Sequence, residues 1–415
     1  MRACIHRGSK QIGGSCVELE CGGKRLLIDF GLPLDAGKNS SRYLPNVKGL
    51  DGKDPSLLGV LISHSHFDHF GLLAHISDKI PVGMGPAARR IIEAATPFLP
   101  EGWAVPARGW DYQSGQIFNI GPFCVTPFLV DHSAYDAYAL LVEGAGRRLF
   151  YSGDFRGHGR KAPLFERLIK NPPPNIDTLL LEGSSLGRLN DSGQFPTEAD
   201  IEKKMRDVFA GTEGLVMVHT SGQNIDRIVS IFRACKKTGR KMIVDLYTAA
   251  ILEATGNKKI PQSDWPEVLL YVPNPQRKQI WQNEWFPLLT RHSANRVYIE
   301  QLEGLASKAT LLFRPLHCRD LEKANCLNGA VYIYSQWEGY WDEGSYDNVK
   351  DWLKKHSITK HAIHTSGHAS PVDLKKMAAG ISPRRLVPIH SFFADRYSEL
   401  FSNVVQHNDD EWWNV

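Results

Sequence analysis

The sequence predicts a mixed α/β fold, in which a strand-rich sandwich half bears ligand-type residues just beyond its strand ends and is interrupted by a separate α/β unit. Three observations lead there. Short apolar runs of strand length recur through roughly the first 190 residues. After Pro172-Pro173-Pro174 and the polar loop 187–194, helices begin to alternate with strands. Polar motifs then return within the last 55 residues, at 361–370 and 389–390. With 415 residues, 42% hydrophobic and 23% charged, the chain has the material for a large core and for two or three domains. A net charge of only +4 means that any nucleic-acid site is a local patch and not a basic tail. The seven cysteines form no C-x-x-C pair, which fits free thiols in a reducing compartment and leaves metal ligation to His and Asp. The amino terminus lacks the apolar core of a signal peptide and no apolar run reaches about 18 residues, so the expected location is cytoplasmic.

The elements follow in order. Residues 15–19 and 24–30 flank Cys21-Gly22-Gly23, a hairpin signal, and 58–63 form a third strand. Residues 71–77 stay apolar at helical spacing, and 85–98 place Ala, Ile and Leu at intervals of three and four, as a helix does. Strands return at 117–120, 123–129, 137–142, 148–152 and 177–181. A helix over 197–209, a strand at 215–219, a helix over 222–237 and a strand at 241–245 open the α/β unit. The stretch around Trp265, Trp281 and Trp285 yields no boundaries, and a strand follows at 330–334. The expected division is 1–193 with 361–415 as one discontinuous domain and 194–360 as the other.

The chemistry concentrates in His64-Ser65-His66-Phe67-Asp68-His69, directly after Gly59-Val60-Leu61-Ile62-Ser63. Four of these six side chains are metal ligands, and a buried strand leading into a tight loop aims them at one point. Crowding three imidazoles and a carboxylate is costly unless a cation neutralises and orients them. The spacing H-x-H-x-D-H suits two adjacent ions better than one. Two more candidates each follow a strand: His132 in Val130-Asp131-His132-Ser133, and Asp154 after Gly153, whose freedom permits a sharp turn.

In this order the first 185 residues resemble the metallo-β-lactamase fold, and Asp29 in Leu27-Ile28-Asp29-Phe30-Gly31 matches its early aspartate. The resemblance implies an αββα sandwich. Three later motifs, Leu180-Leu181-Glu182-Gly183-Ser184-Ser185, Thr365-Ser366-Gly367-His368-Ala369 and Leu386-Val387-Pro388-Ile389-His390, resemble those of the β-CASP nucleases, with the α/β insertion between the first and second. Within that branch the chain is most similar to the ribonuclease J group without its C-terminal extension, so oligomeric state does not carry over. By resemblance, one zinc ion is held by His64, His66, His132 and a bridging Asp154, the other by Asp68, His69, Asp154 and His390. Manganese suits the same donors. The implied mechanism is in-line attack by a hydroxide shared between two ions, with His368 protonating the leaving oxygen and Glu182 orienting it. The implied activity is hydrolysis of single-stranded RNA, internally or from a 5′ end, with no membrane partner.

Several readings stay open. Asp29 either supports the ligand loop or is a turn aspartate before Gly31. By resemblance Asn224, Ser366 and Gly367 cradle a terminal phosphate, but Gln223 stands where serine is expected, and Asn224 is equally a helix cap. Lys203, Lys204, Arg227, Arg233, Lys236, Lys237, Arg240 and Lys241 line a strand-binding groove or mark a solvated face. Trp337 stacks a base or packs between domains. Ser391-Phe392 replaces the usual Gly-Glu after His390. A histidine at the third motif goes with RNA in the branch. The rivals are a DNA nuclease of the same fold, a small-molecule hydrolase of thioesters or lactones, opposed by the insertion and the Glu182/His368 pair, and an RNA-binding scaffold with a dead site, opposed by the intact ligand set.

Overall fold

Gly22 and Gly23 both take positive φ, 57° and 72°, as a two-residue hairpin turn requires. They fold β2 (Cys16–Cys21) back antiparallel on β3 (Lys24–Ile28), with Val17 opposite Ile28. β1 (Arg2–Arg7) joins the far side of β2, while β4 (Leu57–Leu61) and β5 (Val82–Gly83) extend the sheet in parallel beyond β3. A second sheet begins with the antiparallel run β6 (Phe118–Ile120), β7 (Phe123–Val130), β8 (Ala137–Gly144) and β9 (Arg147–Tyr151), to which β10 (Thr178–Leu181) adds in parallel. The computed structural model describes residues 1–37, 39–99 and 109–415.

The expected third strand is shorter than its apolar run. Beyond Leu61 the amide of Ser63 donates to Asp29 Oδ1 at 2.7 Å and not to a neighbouring strand. The helical spacing over 71–77 yields only a turn at Leu73–His75, because the Leu72 amide is drawn to the Phe30 carbonyl at 3.0 Å, next to the end of β3.

Residues Pro196–Ser366 form a unit of their own. Its strands are β11 (Val216–His219), β12 (Lys241–Val244), β13 (Val268–Tyr271), β14 (Arg296–Val297), β15 (Ala309–Phe313), β16 (Val331–Tyr334) and β17 (Thr359–Ala362). They pair in parallel in the order β14-β13-β12-β15-β11-β16-β17. Runs such as Val216-Met217-Val218 suit strands covered on both faces. A Thr197–Asp200 capping box starts the helix Glu198–Ala210, and Asn224 and Gly239 bound the helix Ile225–Thr238. The tryptophan-rich stretch resolves into β13 and the helices Asn274–Gln282 and Phe286–His292. The expected boundary at residue 360 moves to Ser366, since His361 and Ala362 pair with Ile333 and Tyr334 in this sheet. At the other end, the first unit runs on to Phe195.

Two of the eight basic residues grouped by sequence are interior. Arg227 is fully buried against Glu198 at 3.0 Å. Arg240 spends its guanidinium on the carbonyls of Phe209, Gly214 and Ala309, at 3.1, 3.1 and 2.8 Å. Burial with full pairing removes both from any groove or solvated face.

The chain then returns to the first unit, Met1–Phe195 with Gly367–Val415. β18 (Arg385–Pro388) pairs with β10, and β19 (Trp412–Asn414) with β1. Both sheets are six-stranded, in the orders β19-β1-β2-β3-β4-β5 and β18-β10-β9-β8-β7-β6. They share one core: Ala3, Ile5, Val17, Leu19, Leu26 and Ile28 meet Leu140, Val142, Leu149, Tyr151, Leu180 and Val387. The alternate residues Ala137, Ala139 and Leu141 of β8 face outward instead, under Phe165, Leu168, Leu374 and Met377 of the helices Ala162–Lys170 and Pro371–Ile381. On the other outer face Leu27, Val60 and Ile62 lie under Phe70 and Ile92, the latter from the helix Pro86–Ala95. The layers are helix, sheet, sheet, helix, the predicted αββα sandwich.

One ion network, running from buried Glu18 to exposed Asp410, ties the chain ends together. His6 on β1 places Nε2 2.7 Å from Glu18 on β2 and Nδ1 2.7 Å from Asp410, while Arg25 holds the other Glu18 oxygen at 2.8 Å. Burial lowers the affinity of His6 for its proton, but hydrogen bonds to Cys4, Glu18 and Asp410 outweigh it and raise the pKa to about 10. A histidine more basic in the folded chain than its ordinary 6.5 contributes stability that is complete below 6.5 and lost as pH climbs through about 10. Thermal melts should therefore show a fall in melting temperature between pH 6.5 and 10 that His6→Gln flattens; equal slopes for both proteins would show that His6 is not the linked group.

Candidate metal centre

Five strands deliver their C-terminal ends to one place. β4 leads through Ile62-Ser63 to His64, and the single turn Phe67–Phe70 presents Asp68 and His69. β7 leads to Asp131-His132, β9 to Ser152-Gly153-Asp154, β10 to Glu182 and β18 to Ile389-His390. Gly153 has φ 54°, and a Cβ there would lie 2.8 Å from the Tyr138 carbonyl oxygen, so only glycine turns the chain this way.

The side chains fall into two sets around one carboxylate. His66 Nδ1 lies 3.1 Å from His64 Nε2 and 3.2 Å from His132 Nε2. Asp68 Oδ2 lies 3.8 Å from His69 Nε2 and 3.6 Å from His390 Nε2. Asp154 Oδ2 reaches both sets, at 3.6 Å from His64, 3.2 Å from His69 and 3.7 Å from His390. Donors about 2.0–2.1 Å from a tetrahedral zinc stand about 3.3 Å from one another, which is close to these separations. Both Asp154 oxygens, Nε2 of His69 and Nε2 of His390 are buried without a hydrogen-bond partner among the described residues. A buried carboxylate with no donor is expensive unless a cation answers it. The donor set therefore fits metal ions, and His64, His66, Asp68, His69, His132, Asp154 and His390 are the residues able to hold them.

Electrostatics prepare the same chemistry. Burial, reinforced by His69, holds His64 well below the usual imidazole range; it brings His66 down to about 4, and with His66 nearby it holds His132 well below the range too. These three rings offer neutral lone pairs, as ligands must. Burial also acts on His69, but the charges of Asp154 and Asp29 outweigh it and raise that ring well above the range. Burial would raise Asp154; His390 and His69 more than reverse it and hold the carboxyl well below its ordinary value.

His368 borders the donor set, within metal-ligand reach of His132 and Asp154. Its Nδ1 is 3.3 Å from Glu182 and 3.5 Å from Asp154, and its side chain is 22% exposed where Glu182 and Asp154 are 1%. Glu182 is itself fixed: Oε1 accepts from the Phe155 amide at 3.0 Å, Oε2 from the Ser184 hydroxyl at 2.9 Å. Burial lowers the His368 pKa, yet Glu182 and then Asp154 more than offset it and leave the ring more basic than usual. It is placed to hold a proton at the mouth of the centre.

Asp29 accepts four hydrogen bonds, from the Ser63 amide at 2.7 Å, the Ser63 hydroxyl at 2.8 Å, His69 Nδ1 at 2.7 Å and the Tyr151 hydroxyl at 2.7 Å. It is fully buried with φ 57°, so it is no ordinary turn residue. His390, also at a positive φ of 54°, is tied through its amide to the Gly8 carbonyl at 2.7 Å, and its Nδ1 meets the Ser15 hydroxyl at 2.9 Å. Sequence reasoning missed Gly8, Ser15, Ser63 and Tyr151; Ser63 and Tyr151 adjoin motif residues, whereas Gly8 and Ser15 carry no such signal. Ser391 donates its hydroxyl to the Gly183 carbonyl at 3.0 Å, so the unusual Ser391-Phe392 still packs the ligand loop.

The three phosphate candidates divide. Asn224 uses its side-chain oxygen to cap a helix, accepting from the Arg227 amide at 3.1 Å, and Ser366 is buried at the end of the second unit. Gly367 opens the returning part of the first unit, where a Cβ would strike the Ser133 hydroxyl. Trp337 is 37% exposed and meets Tyr340 edge-on at 5.1 Å, within the second unit.

Replacing Asp29 by Asn should lower stability by about 2–4 kcal/mol, because the amide keeps one acceptor and turns a donor toward donors. Chemical denaturation measures it; a loss under about 0.5 kcal/mol would show the four hydrogen bonds to be incidental.

Residues 11–183 match the metallo-beta-lactamase superfamily. Curated relatives include ribonuclease J of Sinorhizobium meliloti, 22% identical over 84% of this chain and 60% of its own length, and ribonuclease J of Synechocystis, 25% identical over 92% and 59%. The chain thus spans about three fifths of the length of these relatives. The solved structure of a protein of unknown function from Enterococcus faecalis V583 shares the fold, with a TM-score of 0.78 over 99% of both chains at 21% identity. Residues 11–183, which carry all of the donor set except His390, are therefore similar to the metallo-beta-lactamase superfamily, in a chain similar by sequence to the ribonucleases J.

Proposed function

We propose that the chain is a metal-dependent ribonuclease of the β-CASP type that hydrolyses single-stranded RNA in the cytoplasm. In this reading the first unit is the metallo-β-lactamase domain and Pro196–Ser366 the β-CASP domain. The observation that carries it is the buried carboxylate of Asp154, without a hydrogen-bond partner among the described residues, reaching His64, His69 and His390 at once. One zinc ion belongs with His64, His66, His132 and Asp154, and a second with Asp68, His69, Asp154 and His390; manganese is the alternative metal. Bound there, the ions supply Lewis acidity toward phosphoryl oxygens and make water nucleophilic near neutral pH.

The chain's own residues do the rest. Asp154 links the two donor sets, so its position sets both. His368 holds a proton on the partly exposed side of the centre and gives it to the leaving oxygen, while Glu182 keeps the ring charged and aimed. The preference for RNA rests on the likeness of the motifs, His390 included, to RNA-processing members of the branch. A modest preference for 5′-monophosphate over 5′-triphosphate ends is proposed from the same likeness.

Metal analysis of the purified protein should find about two ions per chain, and Asp154→Ala should lose both, since one carboxylate serves two sites. Protein that takes up no zinc or manganese even when supplied would refute the reading. His368→Ala should slow cleavage by about 100- to 10,000-fold with its metal retained, whereas His390→Ala should lose metal. Equal metal loss in both variants would overturn this division of roles. Matched RNA and DNA oligonucleotides with 5′-monophosphate, triphosphate or hydroxyl ends complete the test: preferred cutting of DNA, or turnover of thioesters alone, would replace the substrate proposed here.

A further inference from the structure

Directly after Asp154 the chain reads Phe155-Arg156-Gly157-His158-Gly159-Arg160-Lys161, a run that neither the donor set nor the proton donor uses. It is not a surface loop throughout, for Arg156 is fully buried and His158 nearly so. Arg156 Nε stands 3.3 Å from Asp131 Oδ1, and both side chains are 0% exposed. Asp131 Oδ2 accepts from the Gly159 amide at 2.7 Å, and the Asp131 carbonyl accepts from the Arg156 amide at 2.7 Å. Lys161 Nζ donates to the carbonyls of Ala134 at 3.2 Å and Tyr135 at 2.5 Å. All of these acceptors lie in the loop that carries His132.

The same run also reaches the other functional loops. The Phe155 amide donates to Glu182, and the Gly157 amide donates to Asp373 Oδ2 at 3.3 Å. Asp373 in turn accepts from the Ser370 hydroxyl at 2.9 Å, at the start of the helix that follows His368. A Cβ on Gly157 would lie 2.6 Å from Asp373 Oδ1, so only bare backbone fits.

A buried ion pair is weak evidence for stability, because well-packed apolar residues often replace one at no cost. What such a pair does supply is placement, since a guanidinium makes directional contacts that an apolar side chain cannot. Ligands must be held to within about 0.5 Å by their surroundings to bind a metal well. We propose that the segment from Arg156 to Lys161 is the positioning element of the metal centre, with the Asp131–Arg156 pair fixing the His132 loop against the turn that presents Asp154. The inference rests on the reading of His132 and Asp154 as ligands.

Asp131→Asn and Arg156→Met each leave a buried partner without its counterpart and should lower the melting temperature, while the double variant Asp131→Asn/Arg156→Met should recover most of it. The discriminating measurement is a zinc titration of metal-stripped protein against a competing chelator. In the double variant the ion assigned to His132 should bind about 10- to 100-fold more weakly, and the other, which shares only Asp154, should be weakened less. Lys161→Met, which leaves the Asp131–Arg156 pair in place, should weaken the same ion by about tenfold, so the test survives a double variant that does not fold. Wild-type titration curves for both ions in a folded double variant, or equal weakening of both ions, would overturn the positioning role. A wild-type protein that binds no zinc would instead overturn the ribonuclease reading itself, and this inference with it.

Discussion

The centre is organised around the buried charge of Asp154. Both of its oxygens lie out of water with no hydrogen-bond partner among the described residues, and imidazoles stand 3.2–3.7 Å from Oδ2. A lone buried carboxylate is among the costliest groups a core can contain, so its neighbours are constrained to be donors or cations. That constraint explains why strand ends from both sheets converge here, and why glycine, with its positive φ, is needed to turn the chain just before it. Asp29 resolves the same problem differently. Its charge is spread over four hydrogen bonds, and the cost of burying it secures Ser63, His69 and Tyr151 in one arrangement.

The parts of the molecule that could be read from its sequence are those with short-range causes. The Gly22-Gly23 hairpin, the alternating strands β7 to β9 and the six-residue ligand run depend on neighbours within a few positions, and periodicity reports such causes directly. Strand β1, by contrast, looked unremarkable, since its pairing with β2 and β19 and its His6 network depend on residues as distant as Asn414 and Asp410. The helical spacing over 71–77 misled because the Phe30 carbonyl captured the Leu72 amide, a tertiary contact that outweighed local propensity.

For the site, ligand-type residues stood out because few other uses require histidine and aspartate at strand ends in that order. The supporting shell was far less visible. Ser15 and Tyr151 act through their hydroxyls and Ser63 through its amide and hydroxyl, contacts of a kind that many polar residues in a strand make. Arg227 and Arg240 looked like surface charges because composition cannot tell a guanidinium that caps buried carbonyls from one in solvent. Their burial moves two positive charges from the surface of the second unit into its interior.

The return of the chain to its first unit has a consequence for how the protein is made. Strand β18 and His390 belong to the sandwich but leave the ribosome only after all of Pro196–Ser366 has been synthesised. Until then β10 has an open edge, β1 lacks β19, and the donor set lacks His390. An open edge is a template for pairing with another chain. The nascent sandwich must therefore wait, unfinished and adhesive, while the parallel-sheet unit is synthesised behind it, and the metal centre is completed among the last features of the fold.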